Sequence, residues 1–299
     1  MNILIAGITG LIGKKLAIDL SPNHTIFGIG RTKSNVLKVT KNAFDWNDNL
    51  EQIISKNQID VIINLCGASI GQLWLEHYKS ILKNSRFEPT KKIVSVLSKF
   101  PHIHLINASG IGVYGYTKST DKNEGQESIP AKTPKNFADN GFLCQLSREW
   151  EKLACIHKNT TLLRLAPVFD YYGGIYKKII TPYILRVIIQ FGQGEIPFPW
   201  ISLSDVSSMI ELIIQQKCTG AINACTDETI SFKEIHEKIA AHHRCQRITI
   251  PDQYVNLLFG QMGTELFLNG SQAKPVKITK SGFVFKFPNF DSFLNNTLS

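Results

Sequence analysis

Seven residues near the start of the chain, Gly7-Ile8-Thr9-Gly10-Leu11-Ile12-Gly13, constrain its fold more than any other feature. They lie between a short apolar run, Asn2–Ala6, and a stretch with apolar residues at 11, 12, 16, 17 and 20. The run reads as a buried strand and the stretch as a helix. The three glycines at that junction have separate uses. Gly7 permits a sharp exit from the strand, Gly10 lets main-chain amides approach a ligand with no Cβ in the way, and Gly13 permits close packing of helix on sheet. The helix start offers unpaired N–H groups and the positive end of a dipole to an anion. Thr9 adds a hydroxyl, and Leu11 and Ile12 complete the loop's binding set. A tight turn with no ligand is the other use of such glycines. The strand before and the helix after favour a diphosphate site.

The rest of the N-terminal half alternates in the same way. Strands are expected at Thr25–Ile29, Val61–Leu65, His102–Asn107 and Thr161–Leu165, as continuous apolar runs of the kind covered on both faces in parallel sheets. Helices are expected at Leu11–Leu20, at Leu75–Phe100 as one helix or two about Pro89, and at Phe142–His157. The alternation predicts an α/β fold, a Rossmann doubly wound parallel sheet. A polar loop with Pro130 and Pro134 is expected over Thr117–Asn140. Beyond residue 170 the pattern loosens. Ser204–Gln216 and Ser231–His243 read as helices, each opened by a serine N-cap, and Ser231 and Glu234 have capping-box spacing. The expected division is a dinucleotide-binding domain over 1–170, its sheet completed by 200–225. Substrate-side insertions and closing helices follow over 171–245, and a small C-terminal α+β domain over 246–299.

The second strand runs into Gly30-Arg31-Thr32-Lys33. An NAD site places an acid there for the adenine ribose. Here Arg31 and Lys33 stand where a 2′-phosphate would lie, which points to NADP(H). The net charge of +9 needs no nucleic-acid partner, because the lysines are spread along the chain without a dense run. The six cysteines form no Cys-x-x-Cys pair and suit reduced, cytoplasmic thiols. The first residues lack the basic region of a signal peptide, and Ile179–Phe191, with Pro182 and Arg186, is too short for a membrane span. His242, His243 and Cys245 lie close together, but no second ligand group has metal-site spacing, so no metal is expected.

Several motifs taken together carry a resemblance. The glycine loop, Asn64-Leu65-Cys66-Gly67, and Ala108-Ser109 followed by Val113-Tyr114-Gly115 resemble the extended short-chain dehydrogenase/reductase superfamily. The set is most similar to its atypical epimerase family (NAD-dependent epimerase/dehydratase-like), which carries a small C-terminal domain of unknown function. Ser85-Arg86-x-x-x-Thr90, Trp150-Glu151, Leu163-Arg164, Gly173-Gly174 and the segment Leu266–Pro288 extend the resemblance over nearly the whole chain. It implies that Asp45 and Trp46 lie near the adenine and that Leu65, Cys66 and Gly67 line the ribose region. It also implies that Ser109 lies near the nicotinamide, with Pro167 and Val168 at the carboxamide end. Arg86 would suit an anionic group if buried beside the site, and otherwise is a surface charge on its helix.

One departure bears on chemistry. The superfamily uses a Tyr and a Lys four apart on one helical face, where the ammonium lowers the phenol pKa. With Glu151 as landmark, those positions hold Leu143 and Ser147. Tyr114 and Lys118 have the same spacing but fall in a turn, where four residues do not share a face. Tyr114 alone remains a candidate proton donor, and Ser109 a candidate to polarise a substrate oxygen or merely to end its strand. Cys144, beside the vacant Tyr position, reads as a buried structural thiol, and Asp205 as a charge stabilised at a helix N-terminus. Two functions stay open. One is an NADP(H)-dependent oxidoreductase acting on a small carbonyl or sugar-like substrate. The other is a non-catalytic NADPH-binding sensor or scaffold, monomeric or homodimeric. Neither needs a membrane.

Overall fold

A computed structural model describes residues 1–116 and 141–296. The loop expected over 117–140, with Lys118, lies outside them.

The chain opens with β1 (Asn2–Ala6), α1 (Leu11–Leu20), β2 (Thr25–Gly30), α2 (Lys33–Leu37), β3 (Asn42–Asp45), α3 (Leu50–Lys56) and β4 (Val61–Asn64). It continues through α4 (Glu76–Leu97), β5 (His104–Gly110) with a 3₁₀ turn at Ile111–Tyr114, α5 (Phe142–Ala154) and β6 (Thr160–Leu165). Next come β7 (Val168–Asp170), α6 (Gly174–Ile180), β8 (Val187–Phe191), β9 (Ile201–Ser202), α7 (Leu203–Gln216) and β10 (Gly220–Ala224). The last part is α8 (Phe232–His243), β11 (Gln246–Ile250), α9 (Asp252–Gly263), a π turn at Thr264–Leu268, α10 (Val276–Lys280) and α11 (Phe290–Asn295).

Seven strands form one parallel sheet in the order β10-β6-β5-β4-β1-β2-β3. The order reverses at β1, so the crevice beyond the carboxyl ends of β1 and β4 is where such a sheet binds ligands. Side-chain alternation along β1 divides the core. Ile3 and Ile5 pack with Leu16 and Leu20 of α1 and Val206, Met209 and Ile213 of α7. Leu4 and Ala6 pack on the other face with Ile53 of α3 and Ile93 and Leu97 of α4. All of these side chains are buried, which explains why the strands read as unbroken apolar runs.

Some elements meet expectation and others differ. The stretch expected as one helix or two is a single helix, Glu76–Leu97, of 22 residues with Pro89 inside it. The cap of α7 is Ser202 rather than Ser204: its hydroxyl accepts from the Asp205 amide at 2.9 Å. Ser231 and Glu234 form the full capping box. β11 does not stay within the tail; it pairs in parallel with β8. A third core of Phe169, Tyr176, Trp200, Phe290 and Phe293 joins β7, α6, the residue before β9 and α11 by edge-on ring contacts. Asp205 does more than favour a dipole: its carboxylate accepts from the amides of Lys286 and Phe287 and so holds the C-terminal segment.

Candidate dinucleotide site

The loop between β1 and α1 is shaped by what a side chain would hit. Gly7 has φ +80° and donates to the Ile29 carbonyl at 3.1 Å; a Cβ there would lie 2.9 Å from the Leu65 carbonyl. At Gly13 a Cβ would lie 2.6 Å from the Gly7 oxygen and from the Ile8 Cα, so only glycine lets α1 approach the strand. Gly10 is the N-cap of α1 and donates to the Gly7 carbonyl at 3.0 Å. No side chain caps α1 and no acid lies in its first turn. The amides of Leu11, Ile12 and Gly13 therefore start a helix that no side chain caps and that is entered through Gly10, which fits a diphosphate. Across the crevice the main chain of Gly173–Gly174 rests on the Leu11 side chain; a Cβ on Gly173 would come within 2.7 Å of it.

After β2, Arg31 and Lys33 are exposed. Lys33 lies 5.9 Å over the Phe44 ring. Asp45 is bound into a local turn, its carboxylate accepting from the Asn47 amide at 2.9 Å, and the Trp46 ring lies under Lys92. Burial pushes the Cys66 thiol up to about 12, against the pull of Arg31. Leu65 is half-buried against the core. Gly67 lies against Arg86, whose guanidinium would be 3.2 Å from a Cβ there. Arg86 is half-buried, not a surface charge. It donates to the carbonyls of Leu82 and Ala68, stacks 5.4 Å from the Trp150 ring, and among the described residues has no carboxylate partner. Burial lowers its pKa to about 10, with Tyr78 opposing.

At the other end a buried polar chain crosses three strands. Ser109 on β5 donates to Glu151 of α5 at 2.7 Å. Glu151 accepts from both Nε and NH2 of Arg164 on β6 at 2.8 Å. Arg164 NH1 donates to the Tyr114 hydroxyl at 2.8 Å, and Tyr114 donates to Asn223 on β10 at 2.8 Å. Burial alone would lower the Arg164 pKa, but its bonds to Glu151 and Tyr114 outweigh that and raise it. The structure thus brings Ser109 and Tyr114 into one network, with the proton of each committed to a neighbour. Sequence reading noted Glu151 and Arg164 only as landmarks. The signal for their pairing was an Arg inside the apolar run Thr161–Leu165, which a buried strand tolerates only beside an acid. Pro167 accepts from the Ile201 amide, and Val168 pairs with Ile201, so both hold the segment after β6 in place.

The NAD dependent epimerase/dehydratase family matches residues 3–225, most of the chain. The chain belongs to that family. A domain of unknown function, DUF1731, matches residues 250–297. Among curated relatives of this epimerase-family chain, the epimerase family protein Mb2239 of Mycobacterium bovis is 27% identical, covering 95% of the chain and 93% of its own length. YfhF of Bacillus subtilis is 25% identical, covering 100% and 98%. Among solved structures, the human epimerase family protein SDR39U1 with NADPH superposes with TM-score 0.84 at 21% identity, covering 99% and 98%. The dTDP-glucose 4,6-dehydratase of Bacillus anthracis with NAD gives 0.75 at 17% identity, covering 100% and 95%. At these identities the structures establish the fold.

In this epimerase-family protein Leu143 and Ser147 of α5 lie beside the end of β5 and the turn after it. Leu143 packs toward Gly112 and the Ser147 hydroxyl toward Gly110. The start of α5 is closed by an acid that sequence reading missed. Glu265, in the π turn of the C-terminal part, is buried and accepts from the amides of Phe142 at 2.7 Å and Leu143 at 3.0 Å. Among the described residues, no group of three His, Cys, Asp or Glu could hold a metal, and no helix is long and apolar enough to cross a membrane. His243 instead bonds the Tyr176 hydroxyl at 2.6 Å.

Proposed function

We propose that this epimerase-family protein is a cytoplasmic NADP(H)-dependent oxidoreductase acting on a small carbonyl or sugar-like substrate. The observation that carries the reading is the uncapped glycine loop, with Gly13 pressed on Ile8, opening beside the cations that follow β2. The dinucleotide supplies or accepts the hydride when bound. The chain's own residues position it: the α1 amides hold the diphosphate, Arg31 and Lys33 favour the 2′-phosphate, and Asp45 and Trp46 flank the adenine. Leu65, Cys66, Gly67 and Arg86 border the ribose, and Pro167 and Val168 the carboxamide. Tyr114 is assigned the substrate proton, because the Arg164 guanidinium holds its hydroxyl in the turn that follows the carboxyl end of β5. Ser109 acts through Glu151 and Arg164 as a positioning residue.

The NADPH-bound human relative and the NAD-bound dehydratase support a dinucleotide in this crevice. A second reading, a sensor or scaffold without turnover, is favoured by Leu143 and Ser147 at the Tyr and Lys positions. Calorimetry on nucleotide-free protein tests the cofactor: NADPH should bind more tightly than NADH, and silence with both ends the reading. Nicotinamide absorbance with a panel of aldehydes, quinones and nucleotide sugars then separates the two functions. Turnover that Tyr114→Phe abolishes supports the enzyme. Tight NADPH binding with no turnover on any class supports the sensor.

A further inference from the structure

The loop that leaves β4 is flanked by cations with no acid to balance them. Residues 67–71 follow the carboxyl end of β4, one wall of the ligand crevice. Three side chains of α4 hold the loop from one side. The Ser85 hydroxyl accepts from the Ala68 amide at 2.9 Å, the Tyr78 hydroxyl donates to the Ser69 carbonyl at 2.7 Å, and Arg86 donates to the Ala68 carbonyl at 3.2 Å. With its bond to the Leu82 carbonyl, Arg86 uses two of a guanidinium's five N–H donors. Among the described residues the others have no acceptor.

Lys178 of α6 comes from the other side. Tyr176 fixes that helix in the third core, and a residue two positions on lies about 200° round the helix from it. Lys178 therefore crosses to the loop: its ammonium would lie 2.5 Å from a Cβ on Gly71, and the Ser69 hydroxyl 3.7 Å from the same point. Residues 68 and 71 are at most about 10 Å apart along the chain, so guanidinium and ammonium serve one short loop. Lys178 is exposed and, among the described residues, has no ion-pair or hydrogen-bond partner. The nearby acids of α4 are engaged elsewhere, Glu76 with Lys79 at 2.8 Å and Glu88 with Lys91 at 3.0 Å. The loop also adjoins the reacting end. Ala68 and Leu143 pack into one apolar cluster, and a Cβ on Gly112, in the turn that carries Tyr114, would lie 3.6 Å from that of Leu143.

A half-buried cation without a partner destabilises the chain that holds it, unless an anion from outside completes it. Resting on the enzyme reading above, we infer that Arg86 and Lys178 bind a carboxylate of the substrate, which is a small oxo acid or hydroxy acid with its charge near the carbon that exchanges hydride. A planar guanidinium offers parallel N–H groups that match a carboxylate. A phosphate favours the free amides of a helix start, and α4 opens instead with Glu76 in its first turn. Arg86 keeps its place beside the ribose, since a substrate that exchanges hydride with the nicotinamide lies next to that ribose.

The test is ligand-observed NMR titration of the full chain, with and without NADPH, using pairs that differ in charge. These are pyruvate against pyruvamide and succinic semialdehyde against its amide, with glyceraldehyde 3-phosphate against glyceraldehyde as the phosphate pair. At least one acid should bind wild type roughly tenfold or more tightly than its amide. Arg86→Gln and Lys178→Gln should each reduce that ratio severalfold, and Arg86→Lys should restore part of it. Lys177→Gln, on the neighbouring exposed lysine, should leave it unchanged. The inference is overturned by wild type that prefers no acid to its amide, by a preference confined to the phosphate pair, or by one that survives both glutamine variants. Calorimetry with NADPH on the same proteins separates the other outcomes. Arg86→Gln that weakens NADPH as much as the acid places the guanidinium on the cofactor and also overturns the inference. If melting curves show that Arg86→Gln does not fold, Lys178→Gln, on an exposed side chain, decides alone. Wild type that binds neither NADPH nor NADH fails the cofactor reading, while the acid ratio still decides the carboxylate site.

Discussion

Arg164 shows how one buried charge fixes several residues around it. A guanidinium on a central strand, at 3% exposure, must find anionic and polar partners or destabilise the fold. It finds Glu151 through two hydrogen bonds and Tyr114 through a third, and that geometry orients Ser109 and Asn223 in turn. Removing the acid leaves the cation stranded. Glu151→Ala should cost about 3–5 kcal/mol in urea unfolding. Ser109→Ala, which deletes one hydrogen bond and leaves the ion pair, should cost about 1 kcal/mol. Equal costs would mean that the pair is not what holds this corner. The double replacement Glu151→Gln/Arg164→Met removes both charges and should recover part of the loss, because no charge is then left buried without its partner.

At the scale of elements, α5 depends on a residue far away in sequence. Its first amides have no cap of their own, since the N-cap Gly141 carries no side chain. Glu265 takes that place from the C-terminal part, with both oxygens on α5 amides and Gln261 bonding one of them. Glu265→Ala should lower stability by about 1–2 kcal/mol, the scale of a lost helix cap, and loosen α5 more than α4 in hydrogen exchange. Protection of α5 unchanged from wild type would remove this role. The same contact marks the limit of what the sequence could reveal. β1, β2, β4, β5 and β6 were legible because strands covered on both faces must be apolar throughout. β3, Asn42–Asp45, was not, because only Ala43 of its four residues is buried. α2, at five residues, is too short to display a period. The glycine loop was legible because the backbone requirement is met locally, by Gly7 and Gly13. Glu265 on α5 and Arg164 on Glu151 are pairings between distant elements, and no local pattern encodes them. Ser202 was missed as a cap in favour of Ser204 because both precede the helical period and only the fold chooses between them.

For the whole molecule, the C-terminal part is joined to α7, to β10 and the loop after it, and to the turn after β5 by hydrogen bonds. Asp205 holds Lys286 and Phe287, Glu228 bonds both Trp200 and the Phe290 amide, Asn223 donates to the Lys274 carbonyl, and Ser271 donates to the Gly115 carbonyl. Such cross-links favour one cooperative unfolding step, in which a buried titratable group on either side affects the stability of the whole. His236 on α8 is such a group. It is 1% exposed, shares a hydrogen bond with the Phe232 carbonyl at 2.8 Å, and lies edge-on to the Phe232 ring at 4.2 Å. Burial lowers its pKa from 6.5 to about 4; the Phe232 carbonyl opposes the shift and Arg247 adds to it. The unfolded chain therefore takes up this proton first as the medium is acidified, and protonation favours unfolding. The contribution is complete above pH 6.5 and is lost progressively as pH falls toward about 4, with a slope of up to about 1.4 kcal/mol per pH unit from this group. Urea unfolding of wild type and His236→Gln at pH 7.5, 6, 5 and 4.5 checks it. Glutamine can still donate to the Phe232 carbonyl but does not titrate, so the variant should lose less stability than wild type between the first and last of these. Parallel losses in the two proteins would place the acid sensitivity on other groups.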